Sequence, residues 1–185
     1  MIPVILIVVL VVVALWIMGA YNGLIALKNQ VLNAWKQIDV QLKRRHDLIP
    51  NLVNTVKGAM NFEKQTLEAV IAARNKAVSA NGVAATAKAE GELTQALGRL
   101  FALTEAYPDL KATGNIAQLQ EELTSTENKI SFARQLYNDT ATAYNTKQMQ
   151  FPTNLVSGLA KAVPAELWEI EDASERALPQ VDLSL

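Results

Sequence analysis

The residues best suited to chemistry cluster in one stretch, "IDVQLKRRHDLIPNLV", which covers residues 38–53. It holds five charged side chains, a proline and the chain's single histidine, in a segment whose apolar spacing otherwise predicts a helix. A histidine beside two arginines, here His46 beside Arg44 and Arg45, is the residue type that general acid–base catalysis uses. Without a second catalytic group at motif spacing, such a histidine is more often a structural hydrogen-bonding residue. We therefore predict a structural role for His46.

The rest of the sequence contains none of the common catalytic or metal-binding motifs. A P-loop, a G-x-S-x-G nucleophile turn and an H-E-x-x-H zinc helix are absent, and the chain has no cysteine. Glu121 and Glu122 are adjacent on a predicted helix and point about 100° apart, so they cannot chelate one ion together. We predict that the protein is not an enzyme and uses no metal or cofactor. A catalytic site assembled from residues distant in the sequence stays open as an alternative.

Arg45 occupies a position where its predicted helix should be apolar. The stripe that passes Leu42 reaches Arg45 three residues later. In a later helix Glu127 interrupts an apolar stripe in the same way, and a polar edge continues from it through Arg134 and Asn138. Because unpaired internal charges are costly, we predict a buried or half-buried pair of Arg45 and Glu127 that fixes helix register. The alternative is that both side chains reach water at the edge of the stripe.

Two neighbouring residues predict a break in the same helix. Pro50 lacks a donor N–H and disfavours helical geometry at the residue before it, so we expect a kink or an interruption there. Asp47 then caps the helix that restarts at Pro50. Arg44 and His46 are expected to face solvent or a neighbouring molecule.

Residues 1–20 contain no charged side chain and consist largely of Val, Ile and Leu. About 20 apolar residues at about 1.5 Å each are enough to cross the hydrocarbon core of a bilayer. A cleaved signal peptide has a basic start, a shorter apolar stretch and a small-residue cleavage site, and none of these is clear here. We predict a transmembrane anchor over residues 1–22, with Trp16 and Tyr21 near the headgroups. Gly19 and Gly23 form a G-x-x-x-G spacing, which permits close contact between two such helices.

The charges that follow the anchor predict its orientation. Nothing basic precedes the span apart from the amino terminus, and the basic residues that follow it are Lys28, Lys36, Lys43, Arg44 and Arg45. The positive-inside rule then places the N-terminus outside and the remaining chain in the cytoplasm. Over the whole chain 17 basic residues oppose 18 acidic ones, which leaves no net field to attract a polyanion and predicts no nucleic-acid binding.

Beyond the anchor, apolar residues recur every three or four positions almost throughout, and no strand pattern competes. The predicted helices cover about 23–57, 61–80, 84–106 and 115–148, and the first continues from the anchor without a break. Long helices with short polar connections pack economically as an antiparallel up-and-down four-helix bundle, so we predict an all-α fold with a bundle domain over 23–150. For 151–185 we predict two short extra helices and a tail, the second helix with Pro164 in its first turn. Phe151 and Trp168 are expected to cover the end of the bundle.

Several long blocks of the sequence resemble the LemA family. They are "YNGLIALKNQVLNAWKQIDVQLKRRHDLIPNLVNTVKG", "EAYPDL", "LQEELTSTENKISFARQLYNDTATAYN" and "LPQV", and together they extend over nearly the whole chain. The resemblance implies a bacterial protein with one N-terminal anchor, an α-helical bundle and no established biochemical activity. Proteins similar to this one include a magnetosome-membrane branch. The family often has a tyrosine and a histidine in the segment that here reads "GAMNFEKQTL", where this chain has Met60 and Phe62.

Two non-enzymatic hypotheses for function follow. The first is a self-associating scaffold in the bacterial cytoplasmic membrane, whose partners are the lipid bilayer, further copies of the chain and other envelope membrane proteins. The second is a membrane-organising or membrane-remodelling protein, in which the basic residues 43–45 and the amphipathic residues 151–161 bind anionic lipid. Lys43 lies about 20 helical residues beyond the membrane, or about 30 Å, which is too far to reach headgroups unless the helix bends. We therefore favour the scaffold.

Overall fold

The computed structural model describes residues 1–59, 64–105 and 114–169 of the chain. Within these ranges the chain is helical and forms no strand, so the all-α prediction is confirmed. The helices are α1 (Ile2–Ala59), α2 (Lys64–Ser79), α3 (Val83–Glu105), α4 (Gly114–Met149) and the short α5 (Asn154–Ser157). The described ends of α2, α3 and α4 lie one residue from the predicted ones. The differences predicted at Met60 and Phe62 and the tail at 170–185 fall outside the described residues.

The chain divides into two compact units, and helices α1 and α4 contribute residues to each. Unit 1 consists of Met1–Asp39 and Ser131–Leu167. Unit 2 consists of Val40–Ile130 and Trp168–Leu185, of which the described part ends at residue 169.

Helix α1 continues for 58 residues from its apolar start. By length and composition its first part is able to cross a membrane, and no side chain in that apolar stretch is buried within the protein. From Leu24 onward one face of the helix is buried, at Leu24, Val31, Ala34 and Ile38. These steps of three, four and seven residues are those of a helix with one core-facing stripe. The same helix therefore changes from apolar on all faces to amphipathic.

The predicted interruption at Pro50 is wrong, because Pro50 lies inside α1. A proline removes the N–H that would bond to the carbonyl oxygen four residues earlier, which here belongs to His46. Arg74 of α2 donates its Nε–H to that oxygen at 3.2 Å. The carbonyl that the proline leaves without a helical donor is thus satisfied from a neighbouring helix. The predicted cap at Asp47 is also wrong, since no helix begins at Pro50 and Asp47 is exposed within α1.

In unit 1, helix α1 packs on helix α4 through a pair of aromatic rings. Trp35 and Tyr137 meet edge to face, with ring centroids 5.4 Å apart and planes at 63°. The Tyr137 hydroxyl donates a hydrogen bond of 2.7 Å to the backbone oxygen of Glu166. Burial, with a further contribution from the Glu166 carboxylate, raises the pKa of Tyr137. The phenol therefore keeps its proton and remains a donor over the physiological pH range.

The second short helix predicted after residue 150 is wrong over its described part, because residues 162–169 are not helical. Asn145 of α4 donates its amide N–H to the backbone oxygen of Ala165 at 2.8 Å and accepts the N–H of Ala165 at 2.7 Å. The backbone groups that a helix would pair internally are thus held by one side chain. Trp168 is buried, but Phe151 is 81% exposed and does not cover the bundle end as predicted.

Unit 2 is built around a helical hairpin formed by α2 and α3. Gly82 turns the chain between them with φ of +86°, a value that favours glycine. The core contains fully buried aliphatic side chains from all four of its helices: Ile49, Leu52, Val56, Val70, Leu93, Leu100 and Ile116. Short connections of this kind place consecutive helices side by side.

We expect Arg74→Met to destabilise the protein by about 1–3 kcal/mol, because it leaves the buried His46 carbonyl without a donor. In a Pro50→Ala background the same substitution should cost much less, since the alanine supplies the missing N–H to that carbonyl. The measurement is a double-mutant cycle on the full chain in detergent, with chemical unfolding followed by circular dichroism.

Arg99→Met provides the matched control, since Arg99 is exposed on α3 and its loss should change stability little. Equal losses for Arg74→Met in the two backgrounds would contradict the role given to the His46 carbonyl.

Candidate functional site

Arg45 lies on the buried face of α1, where the sequence predicts an interruption of the apolar stripe. Its neighbours on that stripe are Leu42 and Ile49, and all three are buried. The Arg45 side chain has a relative exposure of only 4%. A guanidinium so far from water needs acceptors for its N–H groups, because an unpaired buried charge is strongly destabilising.

The main partner of Arg45 is Glu90 of α3. Arg45 Nη1 donates to Glu90 Oε2 at 3.1 Å, and the Glu90 side chain has a relative exposure of 3%. The second carboxylate oxygen, Oε1, lies 2.6 Å from His46 Nε2. Both oxygens of this buried carboxylate are therefore paired with residues that are adjacent on α1.

His46 is buried rather than turned toward solvent, so that prediction is wrong. Its relative exposure is 9%, and its ring is held against Glu90. The physical reason is the second oxygen of Glu90, which would otherwise be a buried acceptor without a donor. The histidine thus has the structural hydrogen-bonding position that its isolation in the sequence suggests.

Glu127 of α4 contacts Arg45 from another side. Its Oε2 lies 3.0 Å from Arg45 Nη1, and the Glu127 side chain is 36% exposed. Arg45 Nη2 donates to the hydroxyl of Thr94 at 2.8 Å. Two carboxylates, one hydroxyl and one guanidinium thus form a connected cluster, of which Glu90 is the inner acid and Glu127 the outer one. We call Arg45, His46, Glu90, Thr94 and Glu127 the Arg45 cluster.

The structure brings together two of the four residues predicted for a polar network, Arg45 and Glu127. Arg134 and Asn138 are half-buried on the part of α4 that belongs to unit 1, and both interact with other groups. Gly19 and Gly23 lie on the apolar stretch of α1, and a Cβ added to either would meet no atom within 4 Å. Their proposed role in helix association stays a prediction.

Sequence reasoning missed Glu90, although a signal for it was present. The buried stripe of α3 runs through Thr86, Glu90, Leu93, Leu97, Leu100 and Thr104 in alternating steps of four and three. Glu90 therefore interrupts an apolar stripe just as Arg45 does on α1. The same test applied to α3 would have identified the acidic partner with the deeper position.

A small cavity adjoins the Arg45 cluster. It has a volume of about 220 Å³ and is lined by Arg45, Thr94, Leu97, Gly98, Phe101, Leu123, Thr124, Glu127 and Asn128. This is smaller than the roughly 300–1,000 Å³ of most small-molecule sites. Because Glu90, Glu127 and Thr94 already engage the Nη atoms of Arg45, the cavity offers little unused charge to a ligand.

The arrangement is better suited to holding helices than to catalysis. Both oxygens of Glu90 are occupied by donors, so this carboxylate is not free to accept a proton from a substrate. Over the described ranges no three His, Asp or Glu side chains come together as metal ligands. What the cluster can do is fix the positions of α1, α3 and α4, since a buried ionic network tolerates few alternative registers.

We expect Arg45→Met to cost roughly 3–5 kcal/mol, because it leaves the buried Glu90 carboxylate without its cation. In double-mutant cycles, Arg45→Met should couple more strongly with Glu90→Leu than with Glu127→Leu, since Glu127 is partly screened by water. The coupling of Arg45 with Glu127 should nevertheless exceed about 0.5 kcal/mol, as measured by denaturant unfolding.

The exposed pair of Lys76 and Glu92 is the control, with a shortest distance of 2.5 Å and side chains 55% and 40% exposed. Its coupling should stay within about 1 kcal/mol. Simple additivity for Arg45 and Glu90 would contradict the role given to the Arg45 cluster.

Comparison with known proteins places this arrangement in a family. The model of the LemA family matches residues 34–183, which include every member of the Arg45 cluster. Protein LemA of Metamycoplasma hominis is 32% identical over 141 residues, or 75% of this chain and 64% of that protein. The Magnetosome proteins MamQ 1 and MamQ 2 of Paramagnetospirillum magneticum are each 23% identical over 181 residues, or 84% of this chain and 66% of theirs. This chain thus spans about two thirds of the length of these relatives. Since the family match covers most of α1 and all of α2 to α5, the chain belongs to the LemA family.

Proposed function

We propose that this chain is a membrane-anchored helical scaffold that self-associates and presents its helices to other envelope membrane proteins. The observation that carries the proposal is the continuity of α1, which joins an apolar stretch exposed on all faces to the helix that holds Arg45. An exposed apolar surface of that length is stable in a bilayer and not in water. The anchor and the folded part are thereby connected without a flexible linker.

The folded part is proposed to be an antiparallel four-helix bundle. Helices α2 and α3 are joined by only three residues, a connection that returns the chain alongside itself. The buried stripes of α1, α3 and α4 supply the apolar faces that such a bundle requires. The Arg45 cluster then fixes register within this bundle.

The anchor is proposed to lie in the cytoplasmic membrane with its N-terminus outside. Lys28, Lys36 and Lys43 follow the apolar stretch, and no acidic residue occurs before Asp39. Basic residues close to a span are retained on the cytoplasmic side. The folded part is therefore assigned to the cytoplasm.

A scaffold accounts for the Arg45 cluster better than an enzyme does. The cluster satisfies its own charges, and the cavity beside it is small. A second candidate, a membrane-organising protein, is favoured by the exposed apolar side chains of residues 149–163 and by relatives named as magnetosome proteins.

Self-association through the anchor is tested by the mass of the protein in detergent. We expect full-length chain to form assemblies, and a chain that lacks residues 1–21 or carries Gly19→Leu with Gly23→Leu to be monomeric, because bulky side chains block close helix contact. Val9→Leu with Val13→Leu, at the same spacing, is the control and should leave the assemblies intact. Monomers in the unmodified full-length preparation would refute the homo-oligomer.

Orientation is tested by adding a protease to intact spheroplasts. A cytoplasmic folded part should remain uncut until the membrane is permeabilised, and should then be digested. Digestion before permeabilisation would reverse the proposed topology.

A further inference from the structure

The chain after α4 presents an apolar surface on one side only. Its exposed side chains are Met149, Phe151, Leu155, Leu159 and Val163, which have relative exposures of 69–81%. We call these five residues the apolar foot. On the opposite side of the same segment Thr153, Val156 and Ala160 are buried, so the segment is docked on unit 1 and its outward face is fixed.

The apolar foot is level with the end of the apolar stretch of α1. Trp35 of α1 contacts Tyr137 of α4. Leu24 precedes Trp35 by 11 residues, Gln148 follows Tyr137 by 11 residues, and both are buried. Equal steps in opposite directions place Leu24 beside Gln148 if the two helices are antiparallel. The foot therefore begins where the buried stripe of α1 ends and its fully exposed apolar part starts.

The charges around the foot are of one sign. Acidic residues are absent from the chain before Asp39 and again between Asp139 and Glu166. The same segments contain Lys28, Lys147 and Lys161, so the foot is bordered by ammonium groups and by no carboxylate of these segments. Apolar side chains bordered by lysines match the boundary between acyl chains and phosphate headgroups.

We propose that the apolar foot inserts into the headgroup layer of the membrane that α1 crosses, with Lys147 and Lys161 on anionic lipid phosphates. This inference rests on the proposed anchor and adds a second point of membrane contact to it. Leu24 lies six residues beyond Met18, or about 9 Å along the helix, which is close to the thickness of the headgroup region. A foot at the level of Leu24 meets the bilayer surface once the anchor has inserted.

A lipid surface explains the foot better than a second copy of the chain does. The foot is continuous in level with a stretch that already requires lipid, so the bilayer reaches it without any further association. Residues 43–45, which sequence analysis considered for lipid contact, lie on α1 well beyond this level, and Arg45 is engaged by Glu90. The lipid contact is thus assigned to residues 147–163.

The absence of cysteine allows single-site labelling of the full chain. We would introduce Leu155→Cys in the foot and, as the matched control, Phe132→Cys, which is 72% exposed on α4 of the same unit. Phe132 precedes Met149 by 17 residues, or about 25 Å along the helix. An environment-sensitive fluorophore is attached to each, and the proteins are reconstituted in vesicles that contain brominated phosphatidylcholine.

We expect bromine to quench the label at position 155 at least about twofold more than the label at position 132, since only the former lies within the bilayer boundary. Quenching at 155 should increase when about a third of the lipid is phosphatidylglycerol, and Lys147→Gln with Lys161→Gln should abolish that increase. Equal and weak quenching at both positions would overturn the proposal. So would strong disulfide formation between copies at Leu155→Cys without quenching, since a second copy would then cover the foot.

Flotation of the vesicles separates this inference from the proposed anchor. Protein that does not float with vesicles has no working anchor, and the proposed function itself fails. Protein that floats but shows no quenching at position 155 retains the anchor and refutes only the foot.

Discussion

Unit 2 depends on the buried carboxylate of Glu90. A carboxylate at 3% exposure is stable only with donors on its oxygens, and the two donors come from consecutive residues, Arg45 and His46. A helix that slides or rotates by one residue would turn both donors away together. Register between α1 and α3 is therefore specified by a cost of several kcal/mol, whereas apolar contacts alone tolerate many small displacements.

Residues 45 and 46 link α1 to every other long helix of unit 2. Arg45 reaches Glu90 and Thr94 on α3 and Glu127 on α4. The ring of His46 contacts α3, while its backbone oxygen accepts from Arg74 on α2. That oxygen is available because Pro50 supplies no N–H to it. The proline thus frees an acceptor that helps to join two helices, which explains how a residue that breaks most helices is accommodated inside a long one.

The sequence predicted well those features that depend on local periodicity. Helix ends and the interior position of Arg45 follow from apolar spacing, because a helix buries one stripe whatever its partners are. Features that depend on a partner at long range were mispredicted. The continuity of α1 through Pro50 requires Arg74, and the non-helical course of residues 162–169 requires Asn145; neither contact can be inferred from nearby sequence. Glu90 is different, since its place in the stripe of α3 was visible and only its pairing with His46 needed the structure.

The satisfied polar interior and the exposed apolar surface together restrict where function can lie. In the Arg45 cluster the Glu90 oxygens and the Arg45 Nη groups have partners, so the cluster has little left to offer a substrate and acts through the shape it maintains. In unit 1, by contrast, large apolar side chains are exposed both along the start of α1 and after α4. Exposed apolar area of roughly this kind costs about 25 cal/mol per Å² in water, so a soluble protein would bury it. A fold held rigid inside and left apolar at one end is suited to work at a membrane surface, where the missing contacts are supplied by lipid and by neighbouring proteins.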